Sequence, residues 1–318
     1  MKIVYKTLVL ACITLGLFSC KKDDNSSKIV KRDYAEVYAK DIESIESFLK
    51  SHKITVNGAN DISYSQATNG TIWDQPDYVL KSIELTNDSR SNDSKTKYTT
   101  SGETDDKVIY KVYYLVINEG GGNSPVSYDD VYTNYSAYTL ENKLVDKNNI
   151  GFWSSFPNQG NGSYAEVISG FRQILSQIKT AESISVNPDG SYTATNPGRV
   201  VVFLPSGLGY FNHAQNNISA YTPLIFDITL LSLKEIDHDN DGILTKYEDV
   251  DGDGNIWNDD TDGDRKPNFL DSDDDADGKL TREEITYTID GQQFLYEFES
   301  IPTCPSGTIK KHLDPNCQ

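Results

Sequence analysis

Between Asp237 and Glu284 the chain sets 18 acidic residues against 5 basic ones, a net charge of −13 in one short stretch. The whole 318-residue chain carries −19, so most of its imbalance is concentrated there. Carboxylates at that density repel one another, and such a segment cannot close on itself unless cations bind among them. Glycines follow alternating aspartates at Gly242, Gly254 and Gly278. A merely solvated acidic linker does not require that placement, whereas a tight turn does. The same charge makes nucleic acid an unsuitable partner and cations the expected one.

The spacing makes this expectation specific. Asp237, Asp239, Asp241, Gly242, Ile243 and Glu248 occupy positions 1, 3, 5, 6, 7 and 12 of a twelve-residue stretch, and Asp273, Asp275, Asp277, Gly278, Lys279 and Glu284 repeat it. Between them, Asp249, Asp251, Asp253, Gly254 and Asp260 form a variant that ends in aspartate, while Asp259, Asp262, Asp264 and Asp271 fall into no clean frame. The pattern resembles the EF-hand calcium loop, in which about six to eight oxygens come from alternating carboxylates, the position-7 carbonyl and a closing acid. The resemblance implies structural Ca²⁺, with Ile243 and Lys279 lending carbonyls. Little apolar sequence flanks the loops, so paired EF-hand helices are not expected. The tract, residues 235–285, is more similar to the calcium-stiffened aspartate repeats of thrombospondin type 3 and dockerin-like segments, and reads as a rigid spacer.

At the other end, Lys2 and Lys6 precede a mostly apolar run from Thr7 to Phe18. That run has the length of a signal-peptide core and is short for a bilayer span. It ends in Leu17-Phe18-Ser19-Cys20, which resembles the lipobox of bacterial lipoproteins, where the cysteine becomes the lipid-bearing N-terminus. Residues 1–19 are therefore expected to be a signal peptide and Cys20 the lipidation site. The alternative is an ordinary secretory signal with an incidental cysteine. Lys21-Lys22-Asp23-Asp24-Asn25 opens a tether, residues 20–33, similar to the surface-export signal of Bacteroidetes lipoproteins. The expected location is the outer membrane, at the cell surface or on the periplasmic face, with the lipid as the membrane attachment. Cys12 leaves with the signal peptide, so Cys304 and Cys317 remain. In an oxidising compartment they pair, closing a small tail at residues 286–318.

Tyr38, Ile42, Ile45, Phe48 and Leu49 recur at helical spacing, predicting an amphipathic helix over 34–50. Thr71 to Leu85 reads as a strand and Thr86 to Asp106 as a polar loop, completing an extension over 34–107. From residue 108 to 234 the character changes. Val108 to Ile117 is β-branched and aromatic, and a glycine turn follows at 118–122. A second strand is expected near 130–140, with further strands at 200–204 and 224–233. A helix is expected over 167–179, with Ile168, Phe171, Ile174, Leu175 and Ile178 on one face. Antiparallel strands around one helix make an α+β half-barrel, not a parallel βαβ sheet.

Ordered pieces within 108–234 carry a further resemblance: Tyr135 ten residues before Val145-Asp146, then Val167-Ile168-Ser169-Gly170-Phe171, Pro205 to Tyr210, Ile218, and Leu224-Ile225-Phe226-Asp227. In this order they resemble the FKBP-type peptidyl-prolyl cis-trans isomerases. The resemblance implies that fold and proline-containing polypeptide clients. It implies a pocket lined by Tyr135, Phe171, Phe226, Val145, Val167, Ile168 and Ile218, with the Ile168 N–H and the Tyr210 hydroxyl holding substrate carbonyls and Asp146 at the rim. Rotation about X-Pro needs no acid or nucleophile: its barrier of about 18–20 kcal/mol is amide resonance. A site binding the twisted amide better than either planar form lowers that barrier.

The chain departs from the family pattern at several positions. Phe171 stands where tryptophan is usual and Val145 where phenylalanine is usual. Ala137 and Phe211 replace glycines, Ser219-Ala220 replaces a proline pair, and residues 182–198 insert a hairpin. These departures leave two other readings open: a binding or chaperone module of the same fold without turnover, and a calcium-stiffened surface adhesin.

Overall fold

The computed structural model describes residues 31–318 apart from 59–60, 89–104, 158–163, 189–191, 306 and 318. The expected signal peptide, Cys20, most of the tether and most of the loop at 86–106 lie outside the described residues. In chain order the elements are α1 (Tyr34–Ser51), β1 (His52–Gly58), β2 (Asp61–Gln66), β3 (Leu80–Thr86), β4 (Ile109–Asn118), β5 (Asp130–Thr139), β6 (Leu144–Ser154), α2 (Ser169–Ile174), β7 (Ser183–Val186), β8 (Tyr192–Thr195), β9 (Gly198–Leu204), β10 (Leu224–Lys234), α3 (Thr281–Glu284), β11 (Thr286–Ile289) and β12 (Gln292–Leu295).

Six strands form one sheet in the order β3-β4-β9-β10-β5-β6, with every neighbouring pair antiparallel. Side chains alternate faces along a strand, and here both faces are covered. Val200, Val202 and Leu204 join Phe226, Ile228 and Leu230 in the front core. Val201, Phe203 and Ile225 enter the back core. Every residue of β9 is therefore buried.

The front core closes on α2, whose Phe171 and Ile174 are buried together with Leu175 and Ile178 just beyond it. The helix is shorter than the 167–179 expected. It starts at Ile168, a residue with no capping side chain, and passes after Ile174 into a single tighter turn. Gly170 allows the close approach, since a Cβ there would lie 2.7 Å from the Leu204 side chain.

On the back face α1 starts at Asp33, whose carboxylate accepts the Glu36 N–H at 3.0 Å. It buries Ile45, Phe48 and Leu49 against the sheet, each side chain contributing about 1.5–3 kcal/mol. The β1–β2 hairpin, which the sequence reading did not single out, adds Ile62 and Tyr64 to this layer.

Two expectations change here. Of the predicted 71–85 strand only residues 80–85 are extended in the sheet, as part of β3; Thr71 instead donates its hydroxyl to Asp74 at 2.8 Å in a turn. That strand pairs with β4, so the division at 107/108 runs through the sheet. Arg199 and Asp227, neighbours on the back face, form a buried two-pronged ion pair with both bonds at 2.8 Å.

The acidic tract has little regular structure but is anchored through its middle and near both ends. Ile256, Trp257 and Phe269 bury themselves with Tyr128 and Phe156. Ile243 and Ile285 pack with Ile301, Leu295, Tyr296 and Phe298 from the tail. The tail itself is the β11–β12 hairpin followed by a loop closed by the Cys304–Cys317 disulfide, with Cα atoms 5.5 Å apart.

Candidate functional site

The register of the sheet brings four aromatic rings together on its front face. Tyr135 of β5 lies with its ring centroid 5.5 Å from Phe171 of α2, 5.9 Å from Phe226 of β10 and 5.7 Å from Phe152 of β6. Phe171 meets Phe226 edge-on at 5.6 Å, the geometry that ring quadrupoles favour. Val145 and Ile218 are buried in the same cluster, and Val167, Ile168 and Tyr210 are half-buried against it.

Phe152 is one of three nearby aromatics, with Trp153 and Phe156, among which the sequence alone left the choice open. Trp153 stacks on Tyr164, and Phe156 lies beneath the Arg172 guanidinium. A register shift between Thr133 and Tyr135, where β5 pairs with β6, sets which aromatic faces the cluster.

The polar members sit at the edge of this surface. The Tyr135 hydroxyl donates to Asp146 Oδ2 at 2.5 Å, and Asp146 Oδ1 accepts the Lys147 N–H. Burial, and then the bond to Asp146, push the Tyr135 pKa up, so this hydroxyl remains a donor. Burial also raises the Tyr210 pKa, with the Asp146 charge adding to it. Ile168 heads α2, where backbone N–H groups have no intrahelical acceptor. The ensemble is a small apolar surface edged by a carboxylate and two hydroxyls, suited to gripping a compact apolar ring beside a carbonyl.

The loop carrying Tyr210 is held from the back of the molecule. Asp41 of α1 accepts both the Ser206 N–H at 2.7 Å and the Ser206 hydroxyl at 2.6 Å. Tyr34 stacks on Phe211 at 4.1 Å, and Tyr221 meets the same ring edge-on. Phe211 has φ +46°, a left-handed conformation unusual for a bulky residue. Gly207 is required beside it, because a Cβ would fall 2.0 Å from the Tyr110 hydroxyl. No sequence signal marks Tyr34 or Asp41, which lie more than a hundred residues from the loop they hold.

A second concavity of about 720 Å³ opens on the back face, beneath the inserted β7–β8 hairpin; Ile117, Tyr132, Asn134, Tyr192, Arg199 and Leu231 help to line it.

In the acidic tract, carboxylate oxygens converge in small groups. Asp237, Asp239 and Asp241 form one, and Asp273, Asp275 and Asp277 another; oxygens within each lie inside 4.8 Å. Glu248 is buried within range of the Asp239 and Asp241 charges, and Glu284 is buried within range of Asp275 and Asp277. Each loop is braced by its own backbone: Gly242 N–H donates to Asp237, Ile243 N–H to Asp241 and Lys279 N–H to Asp277.

The middle of the tract differs from the expected frame. Asp249 and Asp251 group with Asp259, while Asp260 groups with Asp262 and Asp264. Asp259 takes that place because its Oδ1 accepts both the Val250 and Asp251 N–H groups. Asp253 turns to the Asn255 N–H and the Asn258 amide instead. Buried oxygens without partners, among them Asp239 Oδ2, Asp249 Oδ1, Asp273 Oδ1, Asp275 Oδ2 and Asp277 Oδ2, make these groups fit a hard divalent cation taking oxygen ligands.

A protein-family profile described as BamM C-terminal matches residues 238–311, which take in nearly all of the acidic tract and much of the tail. No curated protein matches the chain. Among solved structures, the chain is similar to a peptidyl-prolyl cis-trans isomerase from Pseudomonas syringae, at 20% identity and a TM-score of 0.30, over 39% of this chain and 76% of that one. It is similar to FkpA from Escherichia coli at 18% identity and a TM-score of 0.33, over 63% of this chain and 60% of that one. The N-terminal domain of FKBP42 from Arabidopsis thaliana is matched at 14% identity and a TM-score of 0.31, over 46% of this chain and the whole of that one.

Proposed function

We propose that this chain is an exported peptidyl-prolyl cis-trans isomerase of FKBP type, anchored by lipid at Cys20 in the outer membrane and stiffened by calcium. The observation carrying the enzymatic reading is the meeting of Tyr135, Phe152, Phe171 and Phe226 beside Ile168 and Tyr210, with Asp146 bonded to Tyr135 at the edge. The aromatic surface takes the proline ring and strips water from the preceding carbonyl. Hydration favours the planar, charge-separated amide, so its removal favours rotation. The Tyr210 hydroxyl and the Ile168 N–H hold flanking carbonyls while the C–N bond turns. No proton is transferred at any stage. Calcium, held by the loops beginning at Asp237, Asp249 and Asp273, has a structural role.

A protease-coupled assay of an X-Pro peptide with the full chain tests the reading. A rate above the uncatalysed one, abolished by Phe226→Ala in protein that remains folded, is expected. No acceleration, with or without calcium, removes catalysis.

A second reading, a binding module without turnover, is favoured by Val145 and Phe211. Valine offers less wall than the phenylalanine usual there, and Phe211 stiffens the Tyr210 loop through its stack on Tyr34. It predicts that prolyl peptides bind the chain without faster exchange.

A further inference from the structure

The two better-formed acidic loops are copies of one another, 36 residues apart. Asp237 corresponds to Asp273, Thr245 to Thr281 and Glu248 to Glu284. The backbone repeats as well: Thr245 N–H donates to the Ile236 carbonyl, and Thr281 N–H to the Ser272 carbonyl. At the second position of each loop the copies diverge. The first loop has His238, whose ring bonds Thr245 at 2.8 Å and rests edge-on against Phe269. The second has Asp274, whose N–H donates to Thr281.

In a loop of this type the ligands come from alternate positions 1, 3 and 5, so a second-position side chain points away from its own ion. Asp274 is accordingly absent from the group formed by Asp273, Asp275 and Asp277. Its carboxylate oxygens instead reach Asp241 and Glu248 of the first loop, with one oxygen of each residue inside 4.8 Å of the others. All three residues are at least nine-tenths buried, at 1%, 3% and 3% exposure for Asp241, Glu248 and Asp274. Both oxygens of Glu248, Oδ2 of Asp241 and Oδ1 of Asp274 have no hydrogen-bond partner. Arg282 is the nearby base, and its guanidinium is directed to the Asn240 carbonyl.

Four bare carboxylate oxygens buried together from two separate loops are costly unless something positive lies between them. We infer that Asp274 is a ligand of the first loop's divalent cation, so that this site is built jointly by residues 237–248 and by the second loop. The inference rests on the calcium reading and adds to it a function for the tract. The shared ion clamps the start of the acidic segment to its end, and the residues between, including the buried Trp257 and Phe269, are held as one closed loop. The second loop's own ion is independent of Asp274.

The test is calcium titration calorimetry on the full chain after chelation, comparing wild type with Asp274→Asn, Glu248→Gln and the double variant. Each single variant should weaken one calcium equivalent by about tenfold or more, a loss that even a supporting residue of a metal site produces. The double variant should lose that same equivalent and no other. Thermal melting adds a readout with opposite signs. Asp274→Asn removes a buried carboxyl that the empty site can hold only charged beside two others or protonated at a cost, so its midpoint should rise in chelator and fall in saturating calcium relative to wild type. Unchanged stoichiometry and affinity in Asp274→Asn would overturn the shared site while leaving calcium binding in place, as would loss of two equivalents in the double variant. A wild-type chain that takes up no calcium would overturn the calcium reading itself.

Discussion

Asp227 ends the Leu-Ile-Phe-Asp run of β10, yet its side chain serves the opposite face from Phe226. Phe226 joins the aromatic cluster, whereas Asp227 is fully buried on Arg199. Removing one partner strands the other as an unpaired buried charge. Asp227→Ala should therefore cost about 3–5 kcal/mol, read as a lower midpoint in urea unfolding. The hydroxyl of Tyr210 works on a smaller scale. Tyr210→Phe deletes one neutral hydrogen bond of about 0.5–1.5 kcal/mol, so kcat/KM should drop by about twofold to tenfold with stability nearly unchanged. Tyr135 and Tyr210 both have raised pKa values, and the proposed bond rotation moves no proton. The pH profile of kcat/KM should thus be flat through neutrality, and a bell-shaped profile would point to acid–base chemistry instead. Tyr135, Phe171 and Phe226 were named from the ordered motifs that resemble the isomerase family, and strand and helix then set them on one face of the sheet. Phe152 was not, since a register shift in a strand the sequence did not announce decides its direction.

Among the elements, α1 matters more to the site than its place in the chain suggested. Its periodic apolar face was readable, but its polar contribution was not. Asp41 lies at the buried seam and holds Ser206, which steadies the loop bearing Tyr210. Replacing it with alanine leaves the Ser206 N–H and hydroxyl without their acceptor, at about 1–3 kcal/mol. Asp41→Ala should raise KM more than it lowers kcat, as expected when a positioning contact is lost. An unchanged KM would show that the loop is held without it. The strands followed the same division. The middle ones read clearly because both faces are apolar, as along β9. The β1–β2 hairpin went unread because its strands are short and only Ile54, Val56, Ile62 and Tyr64 carry the inward alternation. The middle loop of the tract, expected to end at Asp260, instead closes on Asp259, because Asp259 Oδ1 collects two backbone N–H groups that a twelve-residue count cannot see.

For the whole molecule, the charge concentrated between Asp237 and Glu284 also bears on stability. Burial first, and neighbouring carboxylates second, push Asp274 up to about 9 and Glu284 up to about 7. The folded chain without cations then keeps protons that the unfolded chain has already released near pH 4. Its stability falls as pH rises through these folded values. The buried His238 and His312 are held down at about 4 and have the opposite slope, but only below their unfolded value near 6.5. Between pH 7 and 9 the carboxylates act alone. In chelator the melting midpoint should decline across that interval, and in calcium the decline should disappear; a flat profile in chelator would contradict it. Isomerase activity is tested most directly by exchange spectroscopy of an X-Pro peptide with the calcium-loaded full chain. Cis–trans exchange should be faster than in the free peptide, and this gain should be lost in Phe226→Ala although that variant still binds calcium. Exchange no faster with wild type than without it would contradict the enzymatic reading.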